Sequence, residues 1–243
     1  MFKIPKDALW KGILEELFAE FLWYFFPDWA GKEVDFGKDF EFLDKELAEI
    51  VPESQEKKRY ADKLVKVFTK NGGVQWCLVH VEIQGYEDLE FAKRMYQYYK
   101  RIEERYDQNI VAIAIYTEAN PTYHPQMYHK KFLNTELTFK FNTFKILEKT
   151  EQALDVPNNP FSIVMLTAYK ALQKGMLKDK AQIEWKLSLV RKYYEAGYSK
   201  EKTRKIIEFI SHYVSFQNNY PPLFQKENTW ELKKKSWQRL HAK

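Results

Sequence analysis

The chain has 243 residues, of which 45% are hydrophobic and 17% aromatic, enough apolar material for one large domain or for a core with a helical addition. Its charged fraction of 30%, its mean hydropathy of −0.59 and the shortness of its apolar runs exclude an integral membrane protein. A single cysteine excludes a disulfide framework and a cysteine zinc cluster. The N-terminus has no signal-peptide pattern, so we expect a cytoplasmic protein without a membrane partner.

The first predicted element is a helix from about Asp7 to Phe26, whose apolar residues recur at helical spacing and which Pro27 ends. Residues 33–46 mix aromatic and acidic side chains, and we predict a short, irregular first strand there. A polar, proline-containing loop is expected over 49–58.

Residues 59–85 alternate apolar and polar side chains on both sides of the sequence Asn-Gly-Gly at 71–73, a pattern typical of a half-buried antiparallel hairpin. If these three residues form the loop, counting back along both strands places Asp62 opposite Glu82. Gln84 lies two residues further along and points to the same face as Glu82. Polar side chains therefore collect on one face, at the end away from the turn.

The facing carboxylates of Asp62 and Glu82 indicate a metal site. Two carboxylates opposite each other repel and weaken a sheet. A divalent cation between them would remove this conflict, since magnesium is usually held by one or two carboxylates, several waters and a substrate phosphate. The backbone carbonyl of Ile83 is a further candidate ligand, and Gln84 could orient a water or a phosphate. The alternative is that both acids are ordinary exposed strand residues.

A second helix is predicted over about Asp88–Tyr106, with an apolar inner face and a basic side. The short apolar run Ile110–Tyr116 fits a buried strand, and the order strand, helix, strand indicates a parallel crossover. A further strand, with partial alternation, is predicted at about Thr138–Leu147.

The last third of the chain is predicted to be helical, with helices at about 160–175, 179–196 and 200–216, the last capped by Ser199. Residues 226–243 hold six lysines or arginines against two glutamates, so most of the net charge of +5 lies there. Such a stretch could contact phosphates, but we favour a solvated, flexible tail. The predicted regions are a core over 1–150, a helical region over 157–217 and a basic tail over 218–243.

The chain contains RYAD at 59–62, HVEIQG at 80–85 and FAKRMYQYYKRIEERY at 91–106. With the opening KDALWK, these segments resemble the Rpn family of recombination-promoting nucleases, also described as transposase-like, in the PD-(D/E)XK nuclease superfamily. The resemblance covers roughly residues 5–120, with Asp7 and Lys11 at matching positions of the N-terminal motif. RKYYEAGYSKEKTRKIIEFI, at 191–210, is similar to the helical tail of related bacterial members.

The resemblance implies a metal-dependent endonuclease with a restriction-endonuclease-like α/β core, in which a mixed sheet is flanked by helices. Asp62 would be the aspartate of the PD position, and Glu82 and Gln84 would match E-x-K with glutamine in place of lysine. Glutamine brings an amide where lysine brings a positive charge. This leaves open whether Arg94, on the following helix, supplies that charge.

Several neighbouring residues are candidates for supporting roles. Arg94 and Tyr98 could assist the site, or serve only in packing and a surface ion pair. On the first helix, Asp7, Glu15 or Glu16 could complete the metal shell, with solvated helix surface as the alternative. His80 shares the face of Glu82, and there we favour a core histidine.

The function predicted from these observations is a DNA endonuclease that uses magnesium or manganese, linked to recombination or mobile elements. One alternative is a catalytically inactive DNA-binding or protein-interaction module that retains the nuclease fold. Another is a partner-binding protein that recruits its partner through the C-terminal helices. DNA is the expected partner, and a homodimer is left open.

Overall fold

The computed structural model describes residues 4–50, 63–70, 76–173, 184–185, 188–189 and 198–213. The strands are β1 Glu41–Phe42, β2 Lys63–Phe68, β3 Trp76–Gln84, β4 Ile110–Tyr116, β5 Met127–Phe132, β6 Thr135–Lys140 and β7 Asn142–Lys145. Five of them form one sheet in the order β1-β2-β3-β4-β7, and β5 and β6 form a separate hairpin. The first three strands of the sheet are antiparallel, and β3, β4 and β7 are parallel. The predicted α/β class with a mixed central sheet is confirmed.

The helices are α1 Lys6–Glu16, α2 Phe18–Phe25, α3 Pro27–Lys32, α4 Asp44–Ile50, α5 Phe91–Tyr106, α6 Glu151–Leu154, α7 Phe161–Leu172 and α8 Lys200–Tyr213, with a 3₁₀ turn at Ile146–Glu148. Within the described part of the chain, no helix combines the length and the apolarity that crossing a membrane requires.

The predicted register of the β2–β3 hairpin is confirmed over the described residues. The pairs run from Lys63 opposite Val81 to Phe68 opposite Trp76, which is the register set by a loop at 71–73. The parallel crossover from β3 through α5 to β4 is also confirmed. Asp62 lies outside the described residues, so its pairing with Glu82 stays a prediction.

The alternation predicted a half-buried hairpin, but both faces of β2 and β3 are covered, each by different helices. Val65, Val79 and Val81 share one core with apolar residues of α1, α2, α7 and α8. The opposite face is covered by α5, where Leu64 and Leu78 cluster with buried residues of that helix. Glu82 and Gln84 have the parity of Leu78 and therefore lie on the face beneath α5.

The long first helix predicted over 7–26 is divided in two. Leu17 has φ −115° and ψ 29°, outside the helical region, and separates α1 from α2. Its N–H still donates to Ile13 O at 3.0 Å, and Phe21 N–H donates to Leu17 O at 2.8 Å, so helical hydrogen bonds continue on both sides of the junction. Pro27 does end α2, but it also begins α3, where its missing N–H has no cost.

Three other predictions differ from the structure. The expected strand in 33–46 is reduced to the two residues of β1, and α4 follows it where a strand end and a loop were expected. The expected strand at 138–147 is divided at Phe141 between β6 and β7, which belong to different sheets. Alternation continues through this junction in the sequence, so periodicity did not reveal the change of sheet.

The C-terminal helices share the core of the sheet. Trp10 of α1 donates its indole N–H to Tyr213 Oη at 3.2 Å, and its ring meets Phe209 edge-on at 5.2 Å. Ser199 caps α8 as predicted, since its Oγ accepts the N–H of Lys202 at 3.3 Å. Most of the helix predicted over 179–196 and the whole tail 218–243 lie outside the described residues.

Cys77 gives a test of how tightly this core is packed. The thiol is buried beside β2, and burial, assisted by the carboxylate of Glu33, raises its pKa to about 11. Because the thiolate is the reactive form, we expect Cys77 to react with a disulfide reagent at pH 8.5 about a hundredfold more slowly in the folded protein than in guanidinium. Absorbance of the released thiolate measures both rates. Equal rates would contradict the packing of this face.

Candidate functional site

The candidate site lies at the end of β3 beneath the start of α5. The alternation of β3 brings His80, Glu82 and Gln84 to the same face, and all three side chains are fully buried. The chain turns after Gly85 and enters α5 at Phe91, and the start of this helix contacts the end of the strand. Arg94, in the first turn of α5, therefore lies in contact with residues of β3.

Arg94 is the cationic group beside the glutamine. Its Nη2 donates to Gln84 Oε1 at 3.1 Å and lies 4.0 Å from Glu82 Oε2. Its Nη1 donates to Asp88 Oδ2. The guanidinium therefore places a positive charge beside Gln84, which is one of the two possibilities that the sequence left open for Arg94.

His80 and Tyr98 complete the inner wall of the site. His80 Nε2 lies 3.3 Å from Glu82 Oε1, and its ring centroid is 5.4 Å from that of Tyr98. Tyr98 is only 2% exposed. His80 is thus both a buried histidine, as favoured from the sequence, and a direct neighbour of the candidate catalytic carboxylate. Its position two residues before Glu82 on the same face was the signal for this contact.

Asp88 is a site residue that the sequence did not single out. Besides binding Arg94, its Oδ1 accepts the N–H of Glu90 at 3.0 Å, and its backbone carbonyl accepts from Tyr123 Oη at 2.9 Å. Burial raises the pKa of Tyr123 to about 12, so this tyrosine remains a hydrogen-bond donor throughout the neutral range. An acid at the start of a helix is a recognisable pattern in the sequence, but nothing in the sequence predicts its contact with Tyr123.

Lys145 holds the loop that carries Tyr123. It lies at the end of β7 and is fully buried, and its Nζ donates to Glu118 Oε1 and to the backbone carbonyls of Asn120 and Tyr123, the last at 2.6 Å. Contacts therefore run from Lys145 through Tyr123 to Asp88 and Arg94. No pattern in the sequence distinguished Lys145 from a surface lysine.

The acids of α1 lie on the other side of the sheet. Glu15 binds Lys63, which also binds Asp44 and which shares its strand face with Val65, opposite to the face of Glu82. The same helix carries the other predicted residues of the N-terminal motif, Asp7, Lys11 and Glu16. The structure thus brings Glu82, Gln84, Arg94 and Tyr98 together and places the α1 residues apart from them.

The described site holds one carboxylate that could bind a hard divalent cation. Glu82 supplies a ligand that magnesium and manganese accept, whereas the amide oxygen of Gln84 already accepts from Arg94. The side chain of Ile83 is in the core of the opposite face, so only its backbone carbonyl could serve. Within the described residues there is no group of three or more His, Cys, Asp or Glu side chains placed to hold a metal ion. The residues fit magnesium provided that Asp62 adds the second carboxylate.

Comparisons of the chain with protein-family models, with curated proteins and with solved structures found no match. The resemblance to the Rpn family therefore stays a prediction that rests on the short motifs in the sequence.

Proposed function

We propose that this protein is a metal-dependent DNA endonuclease of the PD-(D/E)XK type, with a restriction-endonuclease-like core. The observation that carries the proposal is the register of β2 and β3, in which Lys63 lies opposite Val81. Continued by one pair, this register would set Asp62 opposite Glu82, the geometry that two metal-binding carboxylates need.

Each residue of the site would have a distinct role. Asp62, Glu82 and the carbonyl of Ile83 would hold magnesium or manganese. When bound, such an ion polarises the phosphodiester, activates a water and stabilises the leaving oxygen. Gln84 would orient the water or a phosphate oxygen through its amide.

Arg94 would stabilise negative charge on the phosphate. Its guanidinium is planar and permanently charged, and preorganised donors of this kind favour the transition state of phosphoryl transfer. In the free protein the carboxylate of Asp88 occupies one edge of the guanidinium. The side chains of Arg94 and Asp88 are 14% and 18% exposed, whereas Glu82 is fully buried, so this pair forms the outer edge of the site.

Plasmid nicking tests the proposal. The wild-type protein with magnesium is expected to nick plasmid DNA about a hundredfold faster than the double variant Asp62→Asn/Glu82→Gln, because the variant lacks both metal-binding carboxylates. Chelation of the metal should reduce wild-type nicking to the same level. Glu104→Gln, an exposed acid on α5, is the control and should keep wild-type activity. If wild type nicks no faster than the double variant, the protein is not this nuclease.

The second candidate function is an inactive DNA-binding or protein-interaction module with the same core. It is favoured by the burial of Glu82 between His80 and Arg94, since buried ion networks also occur for purely structural reasons. Thermal unfolding with and without magnesium separates the two candidates. The nuclease predicts a magnesium-dependent rise in melting temperature that Asp62→Asn removes, and the inactive module predicts no rise.

A further inference from the structure

The hairpin of β5 and β6 stands apart from the main sheet and is fixed to the molecule at one end. Its pairs run from Met127 opposite Lys140 to Phe132 opposite Thr135. At the fixed end, Tyr128 stacks on Tyr96 of α5 with ring centroids 5.3 Å apart, and Phe139 meets Tyr99 at 4.8 Å. These contacts hold the base of the hairpin on the helix that covers the candidate site.

The other end of the hairpin is an exposed apolar tip. Phe132 and Leu133 are 72% and 79% exposed. Phe132 lies four positions along the strand from the anchoring Tyr128, a distance of about 14 Å. Among the described residues, the large exposed hydrophobic side chains are Trp23, Leu89, Met127, Phe132 and Leu133, so most of them belong to this hairpin.

The backbone conformation at the tip is unfavourable for Leu133. Leu133 is the first residue of the two-residue loop and has φ 50°, in the left-handed region. Hairpin loops usually place Gly, Asn or Asp at such positions, because a larger side chain strains the backbone. Leu133 is therefore neither buried nor suited to its turn, which points to a contact beyond the described residues.

Positive charge lies on both faces of the ribbon just behind the tip. Lys130 and Lys131 are consecutive residues of β5 and so project to opposite faces, and both are exposed. Lys140 adds a third positive charge at the base, whereas Glu136 is the sole acid of the segment 127–140. Glu136 lies 3.2 Å from Lys131, but this pair is half exposed and therefore weak.

We propose that the β5–β6 hairpin is a DNA-contacting arm. Phe132 and Leu133 enter a groove of the duplex and press against the base pairs, and Lys130 and Lys131 bind the phosphate backbones on either side. Apolar side chains at the ends of DNA-binding elements partly unstack base steps in this way, and the 14 Å reach exceeds the depth of either groove of B-DNA. The proposal rests on the proposed function to the extent that DNA is the substrate.

Charge favours DNA over a second copy of the chain as the partner of this tip. Two copies that met through their tips would bring Lys130 and Lys131 against the same lysines of the other copy. Duplex DNA presents a phosphate backbone on each side of a groove, which complements a lysine on each face of the ribbon.

A binding experiment without metal tests the arm. The full-length wild-type protein is titrated, in the presence of a chelator, against a labelled duplex that contains 2-aminopurine. The variant Phe132→Ala/Leu133→Asn is expected to bind about tenfold more weakly and to lose the fluorescence increase that unstacking causes. Met127→Gln is the matched control, because Met127 is 51% exposed but lies at the fixed end of the same hairpin. It should bind as wild type does.

The lysines are tested by the salt dependence of binding. Lys130→Gln/Lys131→Gln is expected to reduce the slope of log affinity against log salt by about two, since each lysine neutralises one phosphate. Unchanged affinity in the tip variant, or an unchanged slope in the lysine variant, would overturn the proposal. Loss of a dimer by the tip variant with no change in DNA affinity would also overturn it, in favour of a second copy as partner.

These outcomes are independent of catalysis. DNA binding that depends on the tip, in a protein that does not nick DNA, would support the arm and reject the nuclease. Metal-dependent nicking together with tip-independent binding would support the nuclease and reject the arm.

Discussion

Replacing Lys145 by methionine is expected to lower the free energy of unfolding by about 3–5 kcal/mol, because it leaves the buried carboxylate of Glu118 without its cation. Glu118 is 5% exposed, and Lys145 is fully buried. The same ammonium satisfies the carbonyls of Asn120 and Tyr123, so their hydrogen bonds are lost as well. Equilibrium denaturation in guanidinium measures the change.

The control for this variant is Lys131→Met. Lys131 also pairs with a glutamate, Glu136 at 3.2 Å, but both side chains are at least half exposed, and such pairs contribute about 0–1 kcal/mol. The double variant Lys145→Met/Glu118→Leu should recover most of the stability, since it removes the buried charge together with its partner. If Lys145→Met costs no more than Lys131→Met, the buried network around Lys145 is not formed.

The Lys145 variant also has a consequence for the candidate site. Lys145 fixes the loop of Tyr123, and Tyr123 holds the backbone of Asp88, the partner of Arg94. Any DNA cleavage by the protein should therefore decrease in Lys145→Met even at temperatures where the variant is fully folded. A normal rate of cleavage in the folded variant would show that the loop of Tyr123 does not influence the site.

Replacing Phe209 by alanine is expected to cost about 3–5 kcal/mol, the usual range for a buried phenylalanine. Phe209 lies on α8, is 1% exposed, and packs against Trp10 and Tyr213 with ring centroids at 5.2 and 4.8 Å. The cavity left by the ring would open the contact between α1 and α8. Thermal and guanidinium unfolding, followed by tryptophan fluorescence, measure the loss.

Phe132→Ala is the matched control for this second prediction. The same side chain is removed, but Phe132 is 72% exposed, so the change in the free energy of unfolding should stay within about 0.5 kcal/mol. A small effect at Phe209 would mean that α8 is dispensable for the core and could act only as a partner-binding element. A large effect would mean that α8 is part of the core. Deleting the C-terminal helices would then expose the core, so a deletion could not by itself test whether they recruit a partner.

The sequence was most informative where a local pattern carries the structure. The strand Ile110–Tyr116 is bounded as predicted, and α5 ends at the predicted residue, Tyr106. The register of β2 and β3 follows from alternation together with the sequence Asn-Gly-Gly at 71–73, because a shift of one residue would turn every valine of the core face toward the polar face. The same alternation brought Glu82 and Gln84 to one face.

Other features depend on residues that are far apart in the chain. The sequence did not show that Glu15 binds Lys63 on the opposite face from Glu82, or that Lys145 binds three acceptors in the loop before β5. Charged residues have no periodicity that reveals their partners, so each of these contacts exists only after the sheet and its helices have assembled.

The difference between what the sequence predicts and what tertiary contacts decide is clearest along residues 127–145. The sequence predicted one strand at about Thr138–Leu147, and alternation alone could not show that the chain leaves one sheet at Lys140 and joins another at Asn142. That change of sheet depends on tertiary contacts, since the rings of Tyr128 and Phe139 find their partners on α5. The sequence by itself determined the α/β sheet and the polar end of β3. Only the packing of α5 decided that Arg94 faces Gln84 and that the β5–β6 hairpin projects an apolar tip flanked by lysines.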